Sequence, residues 1–404
     1  MKTDSVQSQE QKYLLLQNNY SISYTEQCCF INDKEYNGDN NNELSPKETA
    51  EILKQKYYTD FLKKHFKNLV FLTAAGTSLD NGENGGKSRE GLWSYCIKEI
   101  DAIINYFSKT EFKDRIEKIC DSKNIEALLS FLIVYEKIHT IIKQDERLLR
   151  RELEAMIVKA CKLTLSLQAP HKSFLRKITA RRNNDTRVQV FTTNYDTLFE
   201  QAANNAGFVI IDGFSFAQPR EFSGKWFDLD IVNREKTRIK KEESFLSEVF
   251  HLYKLHGSLN WTKTEGKIIQ NDSPVEPLII YPADEKYESS YEQPYFEMMS
   301  RFQQILRKEN TLLIVIGFGF QDKHINNVII ESLEQNPGFQ LLIVNYNGNG
   351  GIDSDNLDAF FINKEKNEVK LGVNIVYDRF NDFTKYYPEN NSYINELGKE
   401  DGAI

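Results

Sequence analysis

The chain has 404 residues, of which 40% are hydrophobic and 27% are charged, a composition typical of one large or two medium soluble globular domains. The formal net charge of −8 gives no support to a protein that coats nucleic acid. No apolar run approaches the roughly 20 residues of a membrane-spanning helix, and residues Met1–Glu10 lack the apolar centre of a signal peptide. We therefore expect a cytoplasmic protein without a membrane association.

The cysteines and the basic clusters carry little chemistry of their own. None of the five cysteines forms a Cys-x-x-Cys pair, so the sequence offers no zinc module and we expect no metal. Their odd number and irregular spacing fit reduced thiols. Arg176-Lys177 with Arg181-Arg182, and the cluster Arg238, Lys240 and Lys241, are interpreted as solvated faces, with a nucleic-acid or partner-docking patch as the alternative.

The first clear helix signal follows a polar segment. Residues 1–44 end in the Asn-rich stretch Asn37–Asn42 and are interpreted as an N-terminal extension. Ser45 then matches an N-cap, Pro46 the first helical position and Glu48 the third residue of a capping box. The pattern predicts a helix from this cap to about Lys67.

Strands and helices alternate through the rest of the chain. Apolar residues 68–75 predict a buried strand that leads into a glycine turn, and residues 91–182 predict a helical block inserted before the next strand. Further strands are predicted at 188–193, 208–211, 251–255, 278–281, 311–316 and 339–345, and helices at 197–206, 291–308 and 322–335; residues 213–248 read as irregular. This alternation predicts an α/β fold with a Rossmann-like doubly wound parallel sheet and a helical insertion. We assign residues 45–350 to the catalytic domain and 351–404 to a C-terminal segment that packs on its core.

Ligands bind such sheets outside the carboxyl ends of the strands, and the first two candidate sites lie there. The small residues of Thr73–Ser78 let backbone amides approach a phosphate, although a tight turn also needs glycine. Gly85–Ser88 suggests the end of a Walker loop, but Asn81 stands where that pattern requires glycine, so we reject it. Within Thr192–Asp196, an Asn and an Asp can hydrogen-bond a ribose or a carboxamide, or cap the next helix.

Two more candidate sites follow later strands. His256-Gly257 comes after the strand 251–255, and a histidine there can take a proton near neutral pH. We interpret the other five histidines as structural residues. Gly317–Phe320 follows the most apolar strand, where glycines suit close contact with a ligand, and Asn345 ends the next strand, where an adenosine could lie.

In this order the four sites resemble the motifs of the sirtuin family. Ala75, Gly76 and Ser78 match its glycine-rich loop, with Ala74 in place of the first glycine. The remaining matches are Arg89 with Gly91-Leu92-Trp93, Asn194 with Asp196 and Leu198, His256-Gly257, and Gly317–Phe320 with Asp322 and His324-Ile325. Thr193 replaces the glutamine of the family motif.

The departures from the family narrow what the resemblance implies. Sirtuin deacylases usually carry a four-cysteine zinc module, which this sequence lacks, and a large helical block replaces their peptide-binding parts. The chain is thus most similar to the sirtuin-like NAD+ hydrolases of bacterial anti-phage defence, in particular to the Sir2 protein that partners a HerA-type ATPase. The resemblance implies NAD+ as substrate and no metal. It also implies a homo-oligomer, and gating by assembly, by the ATPase or by invading nucleic acid.

The resemblance also implies roles for individual residues. Asn194 would position water or the ribose hydroxyls, His256 would be the general base, and Asp196 would orient the nicotinamide side. The NAD+-contacting set would be Ala75, Gly76, Thr77, Ser78, Arg89, Thr193, Asp196, Gly317, Phe318, Gly319 and Asn345. For Arg89 the resemblance leaves two roles open, contact with a phosphate or closure of the loop. Two alternatives stay open: an NAD+-dependent protein deacylase, and a non-catalytic NAD+-sensing or nucleic-acid-binding subunit.

Overall fold

The computed structural model describes residues 11–36, 44–138, 144–182, 185–233, 245–272, 274, 276–279, 293–346, 360–363 and 368–389. Its strands in these ranges are β1 Lys12–Gln17, β2 Tyr20–Tyr24, β3 Cys29–Ile31, β4 Lys34–Glu35, β5 Asn68–Thr73, β6 Gln189–Thr192, β7 Val209–Ile211, β8 Val249–Lys254, β9 Trp261–Thr264, β10 Lys267–Gln270, β11 Thr311–Ile316, β12 Phe339–Asn345, β13 Ile362–Asn363, β14 Glu368–Val369 and β15 Val373–Tyr377.

The helices in the same ranges are α1 Pro46–Leu62, α2 Ala75–Leu79, α3 Arg89–Tyr95, α4 Ile97–Phe107, α5 Lys113–Asp121, α6 Ile125–Ile138, α7 Gln144–Cys161, α8 His171–Thr179, α9 Leu198–Ala206, α10 Tyr295–Leu306, α11 Lys323–Gln335 and α12 Phe380–Tyr386. None of these described helices is both long and apolar enough to cross a bilayer.

The main sheet of the described residues has the strand order β4-β3-β2-β1-β15-β12-β11-β5-β6-β8-β7. Every neighbouring pair from β15 to β7 is parallel. The chain leaves β5 toward β6 on one side and later reaches β11 on the other side, so the strand order reverses at β5. The predicted doubly wound, Rossmann-like α/β fold is confirmed, and a ligand crevice is expected at the carboxyl end of β5.

The central strands are apolar because both faces of the sheet are covered. All six residues of β5, β8 and β11 are buried. Alternate side chains of β5 enter different cores: Val70 and Leu72 pack on one face, and Leu69 and Phe71 on the other. Parallel strands buried on both faces need such near-continuous apolar runs, which made them easy to predict.

Helix α1 begins as its sequence predicts and ends earlier. Ser45 Oγ accepts from Glu48 N at 3.3 Å, and Glu48 Oε2 accepts from Ser45 N at 2.8 Å. The helix stops at Leu62 rather than near Lys67, since the chain must turn before β5 starts at Asn68. Among the later elements, β11 and β12 have their predicted bounds.

The helical block between β5 and β6 divides into two parts. Helices α3–α7 share a core of their own, with Ile100, Phe107, Leu128 and Leu153 fully buried in it. Helix α8 packs against the sheet instead. The insertion with an independent core therefore spans α3–α7, and α8 belongs to the layer that covers the sheet.

The N-terminal residues contribute strands that the sequence reading missed. Strands β1–β4 form an antiparallel meander, and β1 pairs with β15 at the side of the parallel sheet. Leu14, Leu15, Leu16 and Ile22 are buried there. The short apolar run in β1 was the available signal. Of the strand predicted at 278–281, residues 280 and 281 lie outside the described residues, and Ile279 forms only an isolated bridge with Gly257.

Candidate active site

Five neighbouring strands bring the sequence-predicted residues to one edge of the sheet. Asn345 ends β12, Gly317 follows β11, Ala75 follows β5, Asn194 follows β6 and His256 follows β8. The carboxyl ends of these parallel strands lie side by side, on both sides of the point where the strand order reverses. The structure thus places the four candidate motifs in one region around β5.

Asn194 fastens the loop after β6 to the loop after β5. Its Nδ2 group donates to Ala74 O at 3.0 Å, to Thr77 Oγ1 at 3.2 Å and to Ser78 Oγ at 2.8 Å. Because a backbone carbonyl can only accept, the nitrogen of the amide must face this loop. The Oδ1 atom accepts no hydrogen bond from any residue that the structure describes, so Asn194 presents an open acceptor at the edge of the sheet.

Asp196 is buried and already engaged. Its Oδ2 accepts from Ser78 Oγ at 2.6 Å, and its Oδ1 accepts from Leu198 N at 3.0 Å. One carboxylate oxygen therefore fixes the loop after β5, and the other stabilises the start of α9, as the capping interpretation proposed.

Lys254 is a component of the site that the sequence reading missed. This buried last residue of β8 donates from Nζ to Glu200 Oε1 at 2.9 Å, to Tyr195 O at 3.4 Å and to Asp196 O. Burial raises the pKa of Glu200, and the charge of Lys254 opposes that rise. The ammonium group thus holds the backbone on which Asn194 is mounted. A lysine inside an apolar strand pattern was the signal available in the sequence.

His256 is paired with a carboxylate from the start of another helix. Its Nε2 lies 3.1 Å from Asp322 Oδ2, and each side chain is 6% exposed. Burial acts to raise the pKa of Asp322, but the hydrogen bond and charge of His256 and the backbone amides of Ile325 and His324 outweigh it and lower the pKa. An ionised carboxylate only accepts, so Nε2 carries the proton and donates to Asp322. In the neutral imidazole the lone pair is then on Nδ1, which has no hydrogen-bond partner among the described residues.

Asp322 also fixes its own position. It is the N-cap of α11, and its Oδ1 accepts from His324 N at 2.9 Å and from Ile325 N at 3.2 Å. One oxygen therefore caps the helix while the other orients His256. The sequence comparison noted Asp322 but gave it no role.

Two glycines from different loops touch through their backbones at the centre of the site. Gly76 N donates to Gly317 O at 3.2 Å. A Cβ on Gly76 would lie 2.4 Å from Gly317 Cα, and a Cβ on Gly317 would lie 2.5 Å from Gly76 Cα. Gly317 also has φ +66°, which favours glycine. No side chain fits between these loops, so the crevice floor here is bare backbone.

The amides of the first loop are already used within the protein. Gly76 N bonds Gly317 O, and Thr77 N donates to Ala74 O at 2.9 Å. Thr77 and Ser78 are buried, whereas Ala75 is exposed. A phosphate at this loop would therefore meet groups other than these two amides.

The remaining predicted glycines and aromatic residues have different surroundings. Gly257 has φ +82°, and a Cβ there would lie 2.2 Å from Leu278 O; the segment beside it requires this glycine, rather than a close substrate. A Cβ on Gly319 would meet none of the described residues within 4 Å. Phe318 is partly buried, and its ring centroid lies 5.0 Å from that of the buried Phe320. This loop is thus anchored by aromatic packing.

Arg89 contacts protein groups on both of its sides. Its Nη1 donates to Gln321 Oε1 at 2.9 Å, and its Nη2 donates to Ser122 O at 3.1 Å. The first acceptor precedes Asp322, and the second lies in the turn between α5 and α6. Of the two roles considered from the sequence, phosphate contact and loop closure, these contacts favour loop closure.

Glu126, in the first turn of α6, faces the same region. Burial and the charge of Asp322 raise its pKa, whereas the charges of His256 and Arg89 lower it. A carboxyl group of the helical block therefore lies within electrostatic reach of the His256–Asp322 pair. The sequence reading gave no role to this residue.

Backbone hydrogen bonds fix Thr193 and Asn345, the last two predicted residues. Thr193 donates from its backbone N to Thr73 O at 3.0 Å, which extends the pairing of β5 and β6. Asn345 O accepts from Asp378 N at 3.0 Å. Beside it, Arg379 lies 4.5 Å from the ring centroid of Tyr346 and donates to its hydroxyl at 2.7 Å.

The described residues contain no group of three or more His, Cys, Asp or Glu side chains that could hold a metal ion. The cysteines among them are free.

The fold and this edge define a Rossmann-type α/β protein whose polar side chains converge where the strand order reverses. Residues 188–365 match the family model described as a SIR2-like domain. The matched segment carries Asn194, His256, Gly317 and Asn345; the loop after β5 and the helical block lie outside it.

Comparison with solved structures finds sirtuins at low identity. A Sir2 homologue mutant in complex with ADP-ribose has a TM-score of 0.39 and 12% identity, over 85% of this chain and 97% of that chain. Sir2 bound to acetylated peptide has a TM-score of 0.37 and 14% identity, over 85% and 98%. A Sir2–p53 peptide–NAD+ complex has a TM-score of 0.36 and 12% identity, over 85% and 99%. None of the curated proteins compared with the chain matches it.

Proposed function

We propose that this protein is a Sir2-like NAD+ glycohydrolase that converts NAD+ and water to ADP-ribose and nicotinamide. The observation that carries the proposal is the pair of open acceptors on adjacent strand ends. Among the described residues, Nδ1 of His256 has no hydrogen-bond partner while Nε2–H is held by Asp322, and Oδ1 of Asn194 accepts no hydrogen bond while its Nδ2 is held by the neighbouring loop. The SIR2-like match over residues 188–365 supports a reaction that uses NAD+.

The proposed reaction breaks the bond between the nicotinamide nitrogen and the ribose. The transition state has oxocarbenium character, so the enzyme gains by holding the ribose and activating the attacking water. Asn194 Oδ1 accepts a hydrogen bond from that water or from a ribose hydroxyl. His256 Nδ1 accepts the proton that the water loses, an effect worth about 10²–10⁴-fold in rate. Asp322 stabilises the resulting imidazolium.

The rest of the edge suits a dinucleotide. The bare backbone at Gly76 and Gly317 leaves room for a pyrophosphate. Asn345 and its neighbours would meet the adenosine. We assign NAD+ contacts to Ala75, Gly76, Thr77, Ser78, Thr193, Asp196, Gly317, Phe318, Gly319 and Asn345, and for Thr77 and Asp196 the contact would be added to the hydrogen bonds described above.

The cellular role in this proposal is anti-phage defence by depletion of NAD+ in the cytoplasm. It rests on the sequence resemblance to Sir2–HerA systems and on the danger of an ungated NAD+ hydrolase. We expect a homo-oligomer whose activity depends on a HerA-type ATPase or on invading nucleic acid. The α3–α7 block, which has its own core beside the site, is the part on which such gating would act.

The test is nicotinamide release by the purified full-length protein, alone and with the HerA-type ATPase and DNA. Asn194→Ala and His256→Ala should each lower release at least 100-fold, while His324→Ala, which alters an exposed histidine beside the site, should stay within twofold. Far-ultraviolet circular dichroism and thermal unfolding check that each variant is folded. Intact NAD+ in every mixture, or equal activity of all three variants, would refute the hydrolase. Nicotinamide released only with acyl-lysine peptide would show a deacylase.

A further inference from the structure

Arg89 lies between two parts of the protein that sequence alone does not join. One part is the loop that runs from Gly317 to Asp322, and the other is the turn before α6. The guanidinium donates to Gln321 Oε1 at 2.9 Å and to Ser122 O at 3.1 Å. Its planar fork fixes both acceptors in one plane, which a lysine cannot do.

Gln321 is covalently adjacent to the residue that orients His256. Asp322 Oδ2 lies 3.1 Å from His256 Nε2. A displacement of Gln321 therefore changes the direction of Asp322 and, through it, the direction of the Nδ1 lone pair. A small change in the direction of a general base lowers the reaction rate strongly, because proton transfer requires the reacting atoms to be aligned.

The energy of the Arg89 contacts is modest because the side chain is exposed. Their effect is therefore expected on position rather than on global stability. Helix α11, capped by Asp322 itself, holds the far end of the loop, so Arg89 restrains the residue just before a rigid element.

We propose that Arg89 is a positioning residue that keeps Asp322 aligned with His256 and links this pair to the helical block. This inference rests on the proposed function for its rate readout only. It also supplies the physical link by which a shift of α3–α7 would change the site. In this role Arg89 donates its hydrogen bonds to protein acceptors and does not bind a phosphate.

The most direct readout is the imidazole of His256 itself, observed by NMR in ¹⁵N-histidine-labelled full-length protein without NAD+. The chain has six histidines, so the spectrum is sparse, and His256→Ala assigns the signal. Of the charged and titratable groups described around this imidazole, Asp322 at α11 pairs with it, Glu126 on α6 interacts with it electrostatically, and the ring centroid of Tyr195 lies 6.4 Å away; Arg89 on α3 interacts electrostatically with Glu126. A substitution that keeps the net charge is therefore needed beside any change of Arg89.

Gln321→Leu provides that neutral change, because it removes the acceptor of Arg89 without altering any charge. We expect Gln321→Leu and Arg89→Met both to shift the Nε2–H tautomer signal of His256 and to lower kcat roughly three- to tenfold with little change in KM. Gln321→Asn, which keeps an uncharged amide acceptor on this side chain, should retain more of the signal and of the rate than Gln321→Leu. Arg307→Met is the matched control, because Arg307 is also an exposed arginine and pairs with Glu331 away from the site. It should change neither the His256 signal nor kcat.

The outcomes separate this inference from the proposed function. An unchanged His256 signal in Gln321→Leu would overturn the positioning role even if NAD+ hydrolysis is found. If Arg89→Met raises KM and Gln321→Leu changes neither KM nor the His256 signal, the positioning role is wrong and Arg89 contacts a phosphate instead. A shifted His256 signal in a protein that does not hydrolyse NAD+ under any condition would support the positioning role and refute the proposed hydrolase activity.

Discussion

Replacing Asp322 by asparagine separates the two tasks of this residue. Asparagine caps helices about as well as aspartate, so the bonds to His324 N and Ile325 N that start α11 can persist. The charge that faces His256 Nε2 at 3.1 Å is lost. An amide can present its NH2 group to Nε2, which would move the imidazole proton to Nδ1 and remove the proposed base.

The expected loss follows from the value of a correctly oriented base. General-base catalysis is worth about 10²–10⁴-fold, and neutralising the orienting carboxylate of a catalytic histidine can cost as much as about 10⁴-fold in kcat. With both side chains nearly buried, solvent does little to screen the change. We therefore expect Asp322→Asn to lower kcat for nicotinamide release about 10²–10⁴-fold, with KM nearly unchanged.

The assay is steady-state nicotinamide release, with urea unfolding as the check on stability. Asp185→Asn is the matched control, because Asp185 is also nearly buried and pairs with a histidine, the half-exposed His65 at 2.8 Å, as well as with Arg181, before the amino end of β6 and away from the site. That variant should keep its kcat. If Asp322→Asn folds and retains more than a third of the wild-type kcat, the argument that Asp322 sets the tautomer of His256 is wrong.

Three further predictions concern stability. Lys254→Met should destabilise the fold by about 3–5 kcal/mol in urea unfolding because it leaves the largely buried Glu200 carboxylate without its cation, and a second change, Glu200→Gln, should restore part of the loss. Gly317→Ala should lower the thermal midpoint because of its positive φ and its contact with the loop after β5, whereas Gly319→Ala, whose new Cβ would meet none of the described residues, should be neutral. Burial lowers the pKa of His171 to about 3, against about 6.5 unfolded. Between these values only the unfolded chain binds the proton, so stability should fall by about 2 kcal/mol from pH 7 to pH 5; His171→Phe should abolish this part of the pH dependence, and an unchanged slope would contradict it.

The sequence predicted the parts of the fold that depend on local patterns. The apolar runs of β5, β11 and β12 and the capping box at Ser45 gave strands and a helix start where the structure has them. Strands β1–β4 were missed because a short meander shows little periodicity and gains its burial only by pairing with β15, about 360 residues away in the chain. Local sequence does not reveal such a partner.

The residues of the candidate site also divide into those that local sequence patterns indicate and those that only the fold brings together. Asn194, His256 and the glycine loops were found because they follow strands, and the ends of parallel strands meet at one edge. Asp322, Lys254 and Glu126 received no role, since their importance comes from contacts across 66 residues, 54 residues and the helical block. A charged residue gains such a role only when the fold buries it beside a partner. The lysine at the end of an apolar strand is the one of the three that sequence could have flagged.

The bonding pattern of the site explains why its two open acceptors remain open. Asn194 and His256 each use a donor to bind the protein, to the loop after β5 in one case and to Asp322 in the other. Each donor fixes the side chain's orientation and leaves an oxygen or nitrogen lone pair without a partner among the described residues. A site built for binding alone could satisfy both ends of these side chains and would gain stability by doing so. Two side chains on adjacent strand ends, each held by its donor and with its acceptor unused by the described residues, fit the proposed site, which must receive hydrogens from water or hydroxyl groups during a reaction.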